Sequence, residues 1–404
     1  MKEPTRDEFS KQIAVLQIME REIAQIGTIS EAKEARDKAE ALRAYAKSTG
    51  QLMVMQNQCA EMRLRLERRT GELLIEFGTK AGNPNLRPET VRALEKDVRD
   101  LGVSKDQASK WQRIARIPFE KFEEYLGSMR DSLKEITTAG ALRLYHEAAG
   151  EREKRRILRT KPSAVTRAGQ IIHGRMEEVL VNLSPRLANL IVTDPPYGLG
   201  QTAEIALPGR EAMSKSAGEW DDPDVVKQFP FWADAFWFSL HPEGSIYCFV
   251  CDRYIVQMWA ALEKRGFTMR GLLIWRKTDP PPSVRKSAYR SDVEYIIYAT
   301  AGKTFTFNFL GQARMRKSRE FGICRGKERL DHPTQKPVAL LREYIEASSN
   351  PKDLVLDPFA GVGSTGAAAA ELGRRYILVE RSEYNYKQAC LRLQDAIRKP
   401  ERVF

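Results

Sequence analysis

Two short segments carry residue types at spacings that suit chemistry on an amine. The first is Asp194-Pro195-Pro196-Tyr197, at the end of the apolar run NLIVT. Proline cannot donate to a sheet ladder, so a strand over that run must stop there. A carboxylate, stiff carbonyls and a ring are then held at a strand's C-terminal end, where open α/β sheets bind ligands. The exocyclic amine of adenine or cytosine is a poor nucleophile, because its lone pair is delocalised into the ring. The Asp194 carboxylate and the Pro195 carbonyl can hold its two hydrogens and draw the nitrogen toward a tetrahedral shape. Tyr197 can stack on an extruded base. The bland alternative is a surface turn after a strand.

The second segment, DLVLDPFAGVGSTGAAAAELGRRYILVE (353–380), reads as strand, glycine loop, Ala-rich helix and second strand. Glycines let backbone approach a ligand closely, and a helix N-terminus offers free N–H groups. Glu380, at the end of the second strand, can accept hydrogen bonds from both hydroxyls of a ribose. Gly361-x-Gly363-x-x-Gly366 also fits the dinucleotide fingerprint, so a nicotinamide oxidoreductase is a rival. Asp357 argues for a different nucleoside. A pyrophosphate would meet an anion there, whereas the sulfonium and α-ammonium of S-adenosylmethionine would be welcomed.

The elements that must position these loops follow from the rest of the pattern. The short apolar runs at 187–193, 245–250, 271–275, 293–299, 353–357 and 375–379 alternate with helical segments, which predicts an α/β domain with a mostly parallel sheet. Residues 1–150 read instead as nearly all helical. Thr28-Ile29-Ser30-Glu31 has the form of a capping box, and Ala32, Ala35, Ala39, Leu42 and Ala46 recur at helical spacing. A second long helix is expected over 51–78. Both have narrow apolar stripes, to be covered by each other or by a second subunit in a homodimer. A turn-rich linker (80–88) leads to two short helices, Glu89–Leu101 and one capped by Ser104 that ends before Pro118, the layout of a helix-turn-helix. The second would turn Trp111 and Ile114 inward and offer Lys105, Lys110 and Arg113 to DNA. The expected divisions are 1–80, 81–150, a basic linker at 151–169, and 170–404.

At this point a resemblance is plain. Residues 170–395 resemble the DNA amino-methyltransferases that use S-adenosylmethionine. Asp194–Tyr197 matches their catalytic motif, Asp357-Pro358-Phe359-Ala360-Gly361-Val362-Gly363-Ser364-Thr365 their methyl-donor loop, and His332-Pro333-Thr334-Gln335-Lys336-Pro337 a third block lining the donor pocket. The order, catalytic block first and donor loop last, is that of the beta class, a circular permutation of the Rossmann-like fold. The resemblance implies Asp357, Phe359, Gly361, Gly363 and Thr365 around the methionine part, Glu380 on the ribose, and Thr334 and Lys336 closing the pocket. Asp at the first motif position implies adenine N6; enzymes acting on cytosine N4 more often carry Ser. Residues 1–150 are similar to the helical leader of some phage-type methylases. One departure stands out. Gly174-Arg175 replaces the Gly-Asp that usually lies near the donor adenine, so Glu177 substitutes or that contact is missing. A DNA-binding regulator with an inactive methylase domain is the reading this departure favours.

Charge and composition agree with a nucleic-acid partner. The chain has 404 residues, 42% of them hydrophobic, and a net charge of +12. That is too apolar for a wholly disordered chain. Five scattered cysteines exclude a disulfide scaffold and suggest a reducing cytoplasm. Cys248-x-x-Cys251 sits in an apolar run and reads as strand cysteines. No run approaches the roughly 18 apolar residues of a membrane span. Segment 276–330 holds thirteen Lys/Arg against five Asp/Glu, and residues 1–168 carry a further excess of seven. Arg314, Arg316, Lys317 and Arg319 lie where the class places target recognition, and are expected to meet phosphates or guanine edges of duplex DNA. The loop 199–220 is expected to close over DNA or cofactor.

Overall fold

The computed structural model describes residues 23–48, 53–81, 102–197, 204–207, 210–214, 224–280, 289–332 and 334–398. By contact the chain divides into two compact units between Arg155 and Arg156.

The first unit is helical. It contains α1 (Ile29–Ser48), α2 (Met53–Ala81), α3 (Lys105–Ala115), α4 (Phe119–Asp131) and α5 (Thr138–Arg159). The Thr28 hydroxyl accepts the Glu31 N–H at 3.2 Å, which starts α1 where the sequence places its cap. Ala32, Ala39 and Ala46 form the buried stripe of α1. Ala39 packs with Cys59, Met62 and Leu66 of α2, so the two long helices cover each other. Their charges are also used. Glu67 is buried between Arg36 and Arg63, at 3.2 and 3.8 Å. Arg65 reaches Glu61 at 2.9 Å and Glu123 of α4 at 2.7 Å. Ser104 caps α3 in a reciprocal box with Gln107, and Trp111 and Ile114 point into a core with Phe122, Leu126 and Ile136. The helix expected over Glu89–Leu101 and the linker 80–88 lie outside the described residues, save the end of α2. The basic linker expected at 151–169 is corrected over its first part. Helix α5 runs on to Arg159, because its charged residues are good helix formers and no breaker precedes Pro162.

The second unit is a three-layer α/β domain. Its strands are β1 (Gly169–His173), β2 (Ala188–Thr193), β3 (Glu204–Leu207), β4 (Arg210–Ser214), β5 (Leu240–Val250), β6 (Thr268–Lys277), β7 (Val293–Thr300), β8 (Ser318–Phe321), β9 (Leu354–Asp357) and β10 (Arg375–Glu380). All six apolar runs form strands. An eight-stranded sheet has the order β1-β10-β9-β2-β5-β7-β6-β8, and β3 and β4 form a separate hairpin within 199–220. Strands β1 through β5 in that order are parallel, β7 runs against its two neighbours, and β8 is parallel to β6. One face packs on α9 (Val338–Ser348), α10 (Ser364–Glu371) and α11 (Glu383–Arg398). The other packs on α6 (Met176–Leu180), α7 (Phe229–Ser239) and α8 (Ile255–Arg265). A sheet covered on both faces needs near-continuous apolar strands, which is why these runs read so clearly. Cys248 is buried in β5, and the five cysteines are free. Among the described residues no helix is long and apolar enough to cross a membrane. Most of the loop 199–220, expected to close over DNA or cofactor, lies outside the described residues.

Asn57 locks the helical unit at one point. Its amide donates to the Lys134 carbonyl at 2.7 Å and accepts the Ile136 N–H at 3.1 Å. Asn57→Ala strands the buried Ile136 N–H and frees the part-buried Lys134 carbonyl, and a loss of about 2 kcal/mol is expected from urea unfolding. An unchanged midpoint would contradict this.

Candidate functional site

The two chemistry-bearing loops leave neighbouring strands. Residues 190 and 191 of β2 pair with residues 355 and 356 of β9, so Asp194 and Asp357 emerge at the same C-terminal edge. One hydrogen bond ties the strand ends together. The Thr193 hydroxyl donates to Asp357 Oδ1 at 2.9 Å. Asp357 also accepts the Phe359 N–H at 3.1 Å and the Thr365 hydroxyl at 2.6 Å. Its carboxyl is 4% exposed. Burial raises its pKa to about 6, against the pull of those three donors. The carboxylate anticipated as a direct partner for a cationic ligand is thus taken up first by its own loop.

The glycine loop has the shape its sequence requires. Gly361 and Gly363 take φ of 52° and 77°, the left-handed region that glycine tolerates best. A Cβ at Gly361 would lie 3.2 Å from His332 Nε2, so the imidazole packs close against the loop backbone. Glu380 braces the loop from the end of β10, accepting the Gly361 N–H at 2.8 Å and the Ser382 N–H at 2.7 Å. Burial pushes its pKa up to about 7, more than the two backbone donors pull it down. Phe359 sets its ring against Trp232, centroids 5.0 Å apart. Burial, with help from Lys336, drives the His332 pKa down to about 4, so its ring is neutral.

The catalytic block is held by charge. Tyr197 donates its hydroxyl to Asp194 Oδ1 at 2.6 Å. Lys336 makes a short ion pair with Asp194 Oδ2. Lys336, expected to close the donor pocket, is drawn to the catalytic block. It belongs to the Asp194 group, because the turn over 334–337 aims its side chain inward, with Thr334 O accepting from it at 3.3 Å. Gln335 fixes that turn by hydrogen bonds to the backbone of Glu328 and Leu330. Thr334 itself is exposed. Burial raises the Asp194 pKa above the usual carboxylate range, Lys336 pulls it back, and nearby Glu294 adds to the rise. Burial depresses the Lys336 pKa, but Asp194 and Glu294 outweigh it, and the lysine stays charged.

Three participants escaped the sequence reading. Thr193 looked like the last residue of an apolar run. Glu294 and Lys277 were counted only as surface charge, yet their side chains are 19% and 10% exposed and paired at 2.9 Å. An acid in the otherwise apolar VEYIIYA was the available signal. Pro195 is buried and Pro196 partly so. Arg175 begins α6 and lies 3.5 Å from Glu177.

The expected DNA residues separate into two kinds. Arg314 lies 2.7 Å from Glu346, and Arg319 lies 2.6 Å from Glu343, both acids of α9. Their charge is spent within the fold, which corrects the expectation that all four basic residues are available. Arg316 and Lys317 are exposed and make no ion pair among the described residues. On α3, Lys105 is exposed, Lys110 pairs with Asp106 at 2.6 Å, and Arg113 donates to Ser109 at 2.9 Å.

Comparison with known proteins points the same way. The family model described as DNA methylase, of the N6/N4 type, matches residues 188–390. The chain is 30% identical over 244 residues to Type II methyltransferase M.HinfI of Haemophilus influenzae, covering 56% of this chain and 68% of that one. It is 27% identical over 257 residues to Type II methyltransferase M2.LlaDCHI of Lactococcus lactis subsp. cremoris, covering 59% and 93%. A crystal structure of an M1.HpyAVI–SAM complex matches at 26% identity with a TM-score of 0.45, over 57% of this chain and 100% of that one.

The raised pKa of Glu380 has a sign. The folded carboxyl keeps its proton up to about 7, the unfolded one only to about 4.5. The folded state therefore binds more protons between those values, and this group's contribution to stability falls as pH rises through that window. Urea midpoints measured across it should fall less steeply for Glu380→Gln than for the wild type. Equal slopes would refute the assignment.

Proposed function

Because the chain belongs to the N6/N4 DNA methylase family, we propose that it transfers a methyl group from S-adenosylmethionine to adenine N6 in duplex DNA. The observation that carries this reading is the side-by-side exit of the Asp194 and Asp357 loops, joined by the Thr193 hydrogen bond. The donor would lie along the glycine loop. Phe359, Gly361, Gly363 and Thr365 would surround its methionine part, Glu380 would take the ribose hydroxyls, and Thr334 would close the edge. Asp357 would act by fixing the loop and by its negative field. When bound, S-adenosylmethionine supplies a methyl carbon made electrophilic by its sulfonium.

The protein's own residues do the rest. An amine inside a duplex is out of reach, so the target base must leave the stack. Tyr197 would receive its face. Asp194 and the Pro195 carbonyl would hold the two amine hydrogens, freeing the nitrogen lone pair. The nitrogen must shed a proton as it gains the methyl group. A buried carboxylate with a raised pKa is suited to accept it. The adenine assignment rests on Asp at position 194, as in the resemblance noted above.

Contact with DNA would come from Arg316 and Lys317 near β8, and from Lys105, Lys110 and Arg113 on α3. Arg314 and Arg319 would shape that surface through α9. Such phosphate contacts make affinity fall steeply with salt.

Asp194→Ala should abolish transfer of labelled methyl to DNA while calorimetric donor binding survives. Loss of donor binding as well would refute the role of Asp194. Gly363→Val should do the reverse, because a Cβ there would lie 3.0 Å from that of Ala389 at a φ of +77°. Modification-sensitive sequencing of DNA from expressing cells should report N6-methyladenine; N4-methylcytosine would overturn the adenine assignment.

A further inference from the structure

Asp194 has a problem as it stands. Its Oδ1 accepts from Tyr197 and its Oδ2 is paired with Lys336. Each oxygen keeps a further lone pair, but turning the carboxylate toward a substrate amine must loosen its hold on these donors. Once Asp194 loosens its hold, the buried Lys336 ammonium would lose several kcal/mol of pairing unless a second acid takes up its charge. A second acid stands next to it. Glu294 Oε2 lies 3.2 Å from the Lys336 ammonium, yet makes no aligned hydrogen bond among the described residues. Its other oxygen is pinned by Lys277 at 2.9 Å.

The placement of Glu294 is rigid. It lies on β7, paired with Trp275 of β6, and the next residue, Tyr295, pairs with Val250 of β5. Lys277, at the end of β6, is itself held by the Ser291 carbonyl at 3.4 Å. Glu294 therefore cannot follow the lysine, but the lysine can turn to it. The Lys336 ammonium itself lies over the rings of Tyr197 and Phe249, at 5.5 and 5.1 Å, and these faces favour its charge between the two acids.

We infer that Glu294 is a positioning residue that receives the Lys336 ammonium when Asp194 turns to the substrate amine. Lys336 then has two resting acceptors, one for the free site and one for the loaded site. Lys277 keeps Glu294 ionised and fixed throughout. This rests on the methyl transfer proposed above. The group is not catalytic: Glu294 acts on the reaction only through Lys336 and Asp194.

The test is single-turnover methyl transfer to duplex DNA by wild type, Glu294→Gln, Glu294→Asp and Lys277→Met, with donor and DNA affinities measured separately. Glu294→Gln should lower the transfer rate about tenfold to a hundredfold, at or below the low end of what a direct general acid–base group contributes. Donor and DNA affinities should be little changed. Glu294→Asp keeps the charge and should recover part of the rate, and Lys277→Met should lose a smaller part. A wild-type rate in Glu294→Gln would overturn the inference. So would a rate loss matched by lost donor affinity, or no recovery in Glu294→Asp. If Glu294→Gln does not fold, an unchanged rate in Lys277→Met overturns it and a reduced rate at unchanged donor affinity supports it. A wild-type protein that binds the donor but methylates no DNA would instead defeat the function on which it rests.

Discussion

A lysine ammonium enclosed by two carboxylates organises the centre of this domain. Burying an ion costs far more than any one contact returns, so such a group persists only where partners of opposite sign are fixed around it. Lys336, with a side chain 6% exposed, has Asp194 and Glu294 as those partners. The three come from different parts of the chain, and each is held by backbone that cannot easily shift. Asp194 follows a strand and precedes two prolines. Glu294 lies within β7. Lys336 sits on a turn braced by Gln335. The three together carry a net charge of −1, and Lys277 brings it to zero by balancing the two acids with two lysines. A site balanced in this way can keep a reactive carboxylate away from water without forcing it to take up a proton permanently.

The parallel sheet supplies the second constraint. Strands β2 and β9 are adjacent, although Thr193 and Asp357 are 164 residues apart. Their loops must therefore meet at one edge, whichever comes first in the chain. That is why the permuted order of the blocks leaves the site's geometry intact. Asp357 and Glu380 serve this edge in the same manner. Each buried carboxylate collects N–H and hydroxyl donors from the loop it follows or faces, and so sets the loop's shape before any ligand binds. The raised pKa values of both are the energetic cost of that arrangement.

The helical unit solves a different problem. Its long helices are rich in charge, and the buried stripe of α1 is alanine. Alanine stripes let α1 and α2 pack closely, and ion pairs such as Arg65 with Glu61 and Glu123 satisfy the charges that packing encloses. Many basic side chains among the described residues of 1–168 are therefore paired locally, and only the net excess is left over. The same happens to Arg314 and Arg319 against α9. A count of charges along the sequence overstates the surface that remains for a polyanion.

The sequence by itself was sufficient for the class of fold, for six strands of the main sheet, and for the three blocks of the site. Those features depend on local pattern: apolar runs for strands buried on both faces, prolines that end a strand, glycines at positive φ. It was not sufficient for β1 and β8, because these edge strands are half-exposed and their residues mix polar with apolar. Nor did it reveal which charges are free. Lys336 and Asp194 are 142 residues apart, and nothing in the neighbours of either names the other. Glu294 looked like one more acid in a basic segment until β7 was set beside β5 and β6. Pairing of this kind depends on distance in space and on burial. Only the tertiary structure decides those, because only folding removes the water that would otherwise screen every charge alike.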